Sequence, residues 1–111
     1  NAAAFGVSAI EFVSRFNVTH AIISAGAVDA ASGIMDYDLE EAEFARTVLS
    51  RGKRTLVVTD HTKFGRQGLV KVCDFADIGE LATDRAPPLD ISEALSAAGV
   101  SLFLARNQNS I

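Results

Sequence analysis

The chain has 111 residues, 49% of them apolar, with a formal net charge of −4 and a pI near 5.0. That length is one domain's worth of material, and the apolar share excludes an intrinsically disordered segment. The acidic balance argues against nucleic-acid binding by this segment, no apolar run approaches the ~18 residues of a membrane helix, and a single cysteine, Cys73, excludes an internal disulfide framework.

The leading Asn-Ala reads as a tag remnant on a natural segment of residues 3–111. In "SAIEFVSRF" the apolar positions fall three and four apart, which predicts a short amphipathic helix over 8–16. "HAIIS" (20–24) followed by Gly26 predicts a buried strand. "DLEEAEFARTVLSRG" predicts the clearest helix, with Asp38 as its cap, Glu41 at capping-box spacing and Gly52 as its stop. "RTLVVT" (54–59) is β-branched and predicts a second buried strand. An extended piece, "LVKVCDF", precedes a third strand at 78–83. "DISEALSAAG" (90–99) repeats the helix grammar with Asp90 as cap and Gly99 as stop, and "VSLFLA" (100–105) predicts a fourth strand.

Strands alternating with helices over short joints predict an α/β fold, a mostly parallel sheet flanked by helices. In such sheets ligands sit beyond the carboxyl ends of the strands. Those ends are "SAGAVD", "TDHTKFGR" and "TDRAPP", so Asp60, His61, Lys63, Arg66, Asp84 and Arg85 are expected to ring one rim. Between His61 and Cys73 the chain carries Lys63, Arg66 and Lys71 and no acid. Lys63 and Arg66 can hold an anion through charge-assisted hydrogen bonds; the plainer reading is a solvated loop. Asp60 can orient Lys63 or a ligand hydroxyl, or can serve as a turn residue. His61 can be a base or a phosphate donor, or merely exposed. Gly65 and Gly68 can admit a ligand to the backbone, although they match no nucleotide-binding motif. Cys73 reads as a small core residue. No spacing suggests a metal, a cofactor or a catalytic carboxylate pair.

Taken together, "VVTDHTKFGRQGLV" resembles the D-x-S-K-F-G element in the C-terminal sensor of DeoR-type bacterial transcriptional repressors. "GVSAIEFVSRF", "SGIMDYDLEEA", "ELATDRAPP" and "ALSAAGVSLFLA" agree with that family in order and spacing, over nearly all of residues 5–105. "DH-x-KFGR" and "TD-x-x-PP" are most similar to the group that regulates glycerol 3-phosphate use. The resemblance implies a sugar-isomerase-like, Rossmann-like sensor, incomplete at its N-terminal side and related in fold to ribose-5-phosphate isomerase. It implies that a phosphorylated sugar or polyol, glycerol 3-phosphate among them, controls operator binding by an N-terminal helix-turn-helix domain absent from this chain. It further implies a cytoplasmic homo-oligomer that is not an enzyme and uses neither cofactor nor membrane.

Carried over by motif, Asp60 and Lys63 lie at the effector pocket, with Thr62 where the family has serine; Gly26 and Arg66 join them as expected effector-binding residues. Glu41 and Ala42 match the Glu-Ala pair that opens the long helix. Three positions depart from the pattern: Ala45 stands where the family has a lysine, and Ser24 and Ala27 stand where it commonly has glycine. Two other classes of function compete with sensing. One is a sugar-phosphate isomerase using Asp29 or Asp60 as base, although no glycine-rich phosphate loop is present. The other is an assembly module whose rim is a subunit interface.

Overall fold

The computed structural model describes Glu11, Arg15 and residues 18–105. The helix expected over 8–16 therefore lies, but for two positions, outside the described residues. The elements in chain order are β1 (Val18–Ser24), β2 (Ala27–Asp29), β3 (Gly33–Asp36), α1 (Leu39–Arg51), β4 (Gly52–Val58), β5 (Val70–Cys73), β6 (Glu80–Thr83), α2 (Leu89–Ala97) and β7 (Ser101–Leu104). The architecture is α/β, as its sequence pattern predicts.

A four-stranded sheet in the order β1-β4-β6-β7 is parallel throughout, with Ile23 opposite Val57, Val57 opposite Leu81 and Leu81 opposite Leu102. Each strand follows its neighbour in the same direction across the sheet, so right-handed crossovers put the connections on one face. Ala21, Ile23, Val57 and Leu81 point to that face and share a core with Ala42, Ala45 and Leu49 of α1 and Ile91 and Leu95 of α2. On the opposite face Ile22 and Phe103 are more than half exposed.

The strand-end stretch "SAGAVD" does not end in an open loop. It turns into β2, which pairs with β3 in an antiparallel hairpin, and β5 adds on the far side of β3. This small sheet contributes Val28, Ile34 and Val72 to the common core. Asp29, considered as a base from the sequence, is the hairpin's turn residue: its carboxylate accepts from the backbone N–H groups of Ala31 and Ser32 at 3.2 and 2.9 Å. Such a side-chain turn is a common use of aspartate.

Helix α1 is capped by Asp38, whose side chain accepts from the Glu40 N–H at 2.9 Å. Glu41 faces Asp36 rather than returning to the Asp38 backbone, so the predicted capping box is replaced by a simple cap. In α2 the cap position belongs to Pro88, two residues earlier than expected, and Asp90 sits inside the first turn, bonding the Ile91 N–H. Proline suits a helix start because its missing N–H has no intrahelical partner there. Gly99 follows the last turn at φ +79°, the left-handed stop predicted for it.

Candidate functional site

All four strands of the parallel sheet end at one edge, and backbone bonds carry the ladder past the strand termini. Ala25 N–H donates to Val58 O at 3.4 Å, Thr59 N–H to Ala82 O at 2.9 Å, and Ala105 N–H to Thr83 O at 2.7 Å. The residues leaving β1, β4 and β6 therefore stand side by side, about 4.8 Å apart from strand to strand.

The exit of β4 forms a tight turn. Asp60 caps a single 3-10 turn, His61–Lys63, by accepting from the Thr62 backbone N–H at 2.8 Å and, through a short bond, from the Thr62 hydroxyl. Those two bonds, the hydroxyl first, hold the Asp60 carboxyl below the usual carboxylate range. Asp60 thus shapes the turn and forms no ion pair with Lys63 among the described residues. The turn is then tied to the small sheet: Phe64 bridges Val28, and Gly65 N–H donates to Val28 O at 2.8 Å. Half-buried Phe64 packs on the core, so the motif's aromatic is an anchor.

A second tie runs to the exit of β6. Asp84 accepts from the His61 backbone N–H at 2.7 Å and lies 2.6 Å from His61 Nδ1. The hydrogen bond from His61 leads the causes that bring the Asp84 carboxyl down to about 2. An ionised carboxylate only accepts, so Nδ1 carries the proton and donates to it. The sequence hint was the repeat of Thr-Asp at two neighbouring strand ends, "VTD" and "ATD".

Two groups are left available at this corner. The Lys63 backbone N–H donates to Asp60 O at 3.1 Å, but its half-buried side chain makes no hydrogen bond or ion pair among the described residues, whereas Lys71 pairs with Asp74 and Arg46 is fully engaged. The Thr59 hydroxyl is buried without a hydrogen-bond partner among the described residues. Unpartnered buried polar groups are few in folded proteins, which sets this hydroxyl apart.

Along the last residues of the edge strand β1, against α1, opens a cleft of about 320 Å³ whose lining includes Ile22, Ser24, Asp36, Glu41, Ala45 and Val48. The Asp36 charge, followed by burial, raises the Glu41 carboxyl. Sequence reasoning missed Asp36 because the short hairpin that delivers it leaves no periodic signal. Gly26 lies under this residue: a Cβ there would meet Asp36 Oδ1 at 3.2 Å, and its N–H is already given to Met35 O at 3.1 Å. Gly26 therefore permits close packing of the hairpin and has no free N–H for a ligand. Ala45, at the position where a lysine was expected, is buried against the cleft. Neighbouring Arg46 does not substitute for it, because its guanidinium bonds the Val72 and Lys71 carbonyls at 2.9 and 2.5 Å.

Of the expected rim, the structure brings together Asp60, His61, Lys63 and Asp84, with Thr62 in the same turn, while Arg85 follows Asp84 as an exposed residue. Arg66 is exposed beyond Gly65, past the end of that turn. Gly65 and Gly68 have structural roles: Gly65 has φ +80°, and Gly68 lies against the Asp36 backbone. Cys73 is half-buried and burial pushes its thiol up to about 11, as suits a core residue. Among the described residues no His, Cys, Asp and Glu cluster could hold a metal, and no helix is long and apolar enough to cross a membrane.

The fold and this polar edge define an α/β domain with a cleft and a lysine-bearing polar turn toward the carboxyl ends of its strands, the position where such sheets bind ligands. Residues 1–85 match the family described as the DeoR C terminal sensor domain, and the chain belongs to that family. It is 29% identical over 104 residues, 94% of its length, to the HTH-type transcriptional repressor CsqR of Escherichia coli (strain K12), covering 40% of that protein. It is 33% identical over 82 residues, 74% of its length, to the glycerol-3-phosphate regulon repressor of Haemophilus influenzae, covering 32% of it. A putative aga operon transcriptional repressor of Escherichia coli O157:H7 is 29% identical over 100 residues, with 90% of this chain and 37% of that protein covered. The chain spans two fifths or less of the length of these relatives.

Proposed function

We propose that residues 3–111 are the later part of an effector-binding domain in a DeoR-type transcriptional regulator, and that the strand-end rim binds a phosphorylated sugar or polyol. The observation that carries this reading is the division of the rim into two chemical halves. At the exit of β4 stands Lys63, whose ammonium makes no hydrogen bond or ion pair among the described residues, although its charge is felt by the Asp60 carboxylate of the same turn. One strand away, along the last residues of β1, a cleft presents the carboxylates of Asp36 and Glu41. A phosphate is matched by the first and the hydroxyls of a polyol by the second, since carboxylates accept what hydroxyls donate. Thr59 adds a buried hydroxyl between them in chain order, and Thr62 and Asp60 fix the turn that carries Lys63.

Binding shifts the equilibrium of a regulator only if the ligand prefers one conformation. The turn at 60–64 is the element suited to transmit it, because it joins the ligand's cation to both sheets. Operator DNA is contacted through an N-terminal helix-turn-helix domain, not through this acidic chain, and the working protein is a cytoplasmic homo-oligomer. The relatives are named as transcriptional repressors, which supports a regulatory role in place of catalysis.

The test is calorimetry of the protein with matched pairs: glycerol against glycerol 3-phosphate, and free sugars against their phosphates. Binding confined to the phosphorylated member of a pair is the expected result. Equal binding of both members, or of neither across the panel, would overturn the reading.

A further inference from the structure

The His61–Asp84 pair has a chemical polarity that the phosphate reading leaves unused. Asp84 holds residue 61 twice, through the backbone N–H at 2.7 Å and through Nδ1 at 2.6 Å, so the ring is fixed in orientation and in which nitrogen faces outward. The side chain is 39% exposed, and Nε2 has no partner among the described residues. His61 also belongs to the same single turn as Lys63. The charged groups around the ring are Asp84 from the end of β6 and Asp60 and Lys63 from its own turn; Asp60 is already engaged by Thr62, and Asp84 by His61 itself.

We propose that His61 is a proton-gated ligand of the anion bound by Lys63, oriented for that task by Asp84. With Nδ1–H committed to the Asp84 carboxylate, the outward nitrogen has two states. In the neutral ring Nε2 is a lone pair, which repels a phosphate oxygen. In the protonated ring it is an N–H donor carrying positive charge, and charge-assisted bonds to phosphate are the strong ones. Binding of a phosphorylated effector is therefore coupled to uptake of a proton at Nε2, and by linkage the bound anion favours the protonated ring in return. The carboxylate does for His61 what an orienting partner does for any working imidazole: it selects the tautomer and fixes the ring's direction. The regulator would then respond to phosphorylated metabolite more strongly in mildly acidic conditions.

This inference rests on the phosphate-binding reading of the rim, and the experiment separates the two. The affinity of sn-glycerol 3-phosphate and of inorganic phosphate is measured by calorimetry from pH 5.5 to 8.5 for wild type, His61→Gln and Lys63→Ala. The phosphate group itself titrates in this range, with a second pKa of about 6, so the quantity read is the ratio of wild-type to His61→Gln affinity at each pH, which isolates the part of the pH dependence that requires His61. That ratio is expected to fall by about tenfold between pH 5.5 and pH 8.5. A second readout needs no variant: in buffers of different ionisation enthalpy at pH 7.5, wild type takes up a proton on binding. A ratio that stays flat with pH, with no proton uptake, while Lys63→Ala still weakens binding at every pH, overturns the role of His61 and leaves the anion site standing. Wild-type affinity in Lys63→Ala, or no binding of either probe, overturns the anion site and this inference with it.

Discussion

Two glycines in the segment that follows the strand-end turn are required for different physical reasons, and alanine distinguishes them. At Gly65 φ is +80° and a Cβ would meet nothing within 4 Å. Alanine there incurs only the torsional penalty of an L residue in left-handed backbone, about 1–2 kcal/mol. Gly68 lies outside that region of φ, but a Cβ would stand 2.7 Å from the Asp36 carbonyl oxygen and 2.9 Å from Met35 Cβ. Neither neighbour is a movable tip: the carbonyl accepts the Leu69 N–H at 2.9 Å, and Met35 is in β3. The backbones must part, at about 1–3 kcal/mol for overpacking, and the Leu69 bond, worth about 1 kcal/mol, goes with it. The expected loss for Gly68→Ala is thus about 2–4 kcal/mol, a large share of a small domain's stability. Asparagine, which tolerates left-handed backbone, separates the causes further: Gly65→Asn should be milder than Gly65→Ala, and Gly68→Asn at least as severe as Gly68→Ala. Urea unfolding followed by circular dichroism, with unchanged m-values, gives the four numbers. Gly68→Ala within about 0.5 kcal/mol of wild type, or asparagine relieving Gly68 instead of Gly65, would refute the steric argument.

Three further outcomes follow from the same geometry. Arg46→Ala removes two bonds from α1 to the β5 carbonyls and should cost about 1–2 kcal/mol in urea unfolding. Arg46→Lys should recover little of this, because an ammonium lacks the fork that reaches both oxygens. The Asp84 carboxyl is depressed from 3.8 to about 2, so its stabilising contribution is present above pH 3.8 and lost as pH falls toward 2; Asp84→Asn should flatten the acid limb of a stability–pH curve. The Cys73 thiol is raised from 9.0 to about 11, so the unfolded chain releases its proton first, and stability should fall as pH rises through that interval. Thiol labelling at pH 8 should accordingly be slow in native buffer and fast in urea.

The four parallel strands and both described helices were legible because each obeys a local rule. β-Branched runs mark β1 and β4, and Asp38 and Gly99 punctuate the helices as read. The small antiparallel sheet was not legible. β2 has three residues and β3 four, too short for alternation to register, and β5 looked extended without a partner to pair with. Missing the hairpin meant missing Asp36 and weighing Asp29 as a base when its carboxylate closes the hairpin turn; Gly26, expected at the effector, gives its N–H to Met35 O. At the site, residue types were readable and their engagements were not. Asp60 and Asp84 look alike in the sequence, but one closes a turn on Thr62 and the other reaches 23 residues back to His61. The pairing of Lys71 with Asp74, only three residues on, was within reach of the sequence, but the count of acids between His61 and Cys73 stopped one residue short of it.

The central claim, that Lys63 holds the phosphate of an effector at the strand-end rim, is tested most directly by comparing Lys63→Ala with Lys71→Ala. Calorimetry with the tightest-binding phosphorylated ligand should show Lys63→Ala weakened by about 1.5–3 kcal/mol, the range of a hydrogen bond to a charged group. Lys71→Ala, whose ammonium is paired with Asp74, should bind as wild type does. Equal affinities for wild type and Lys63→Ala would contradict the account and leave the basic turn a solvated corner of the fold.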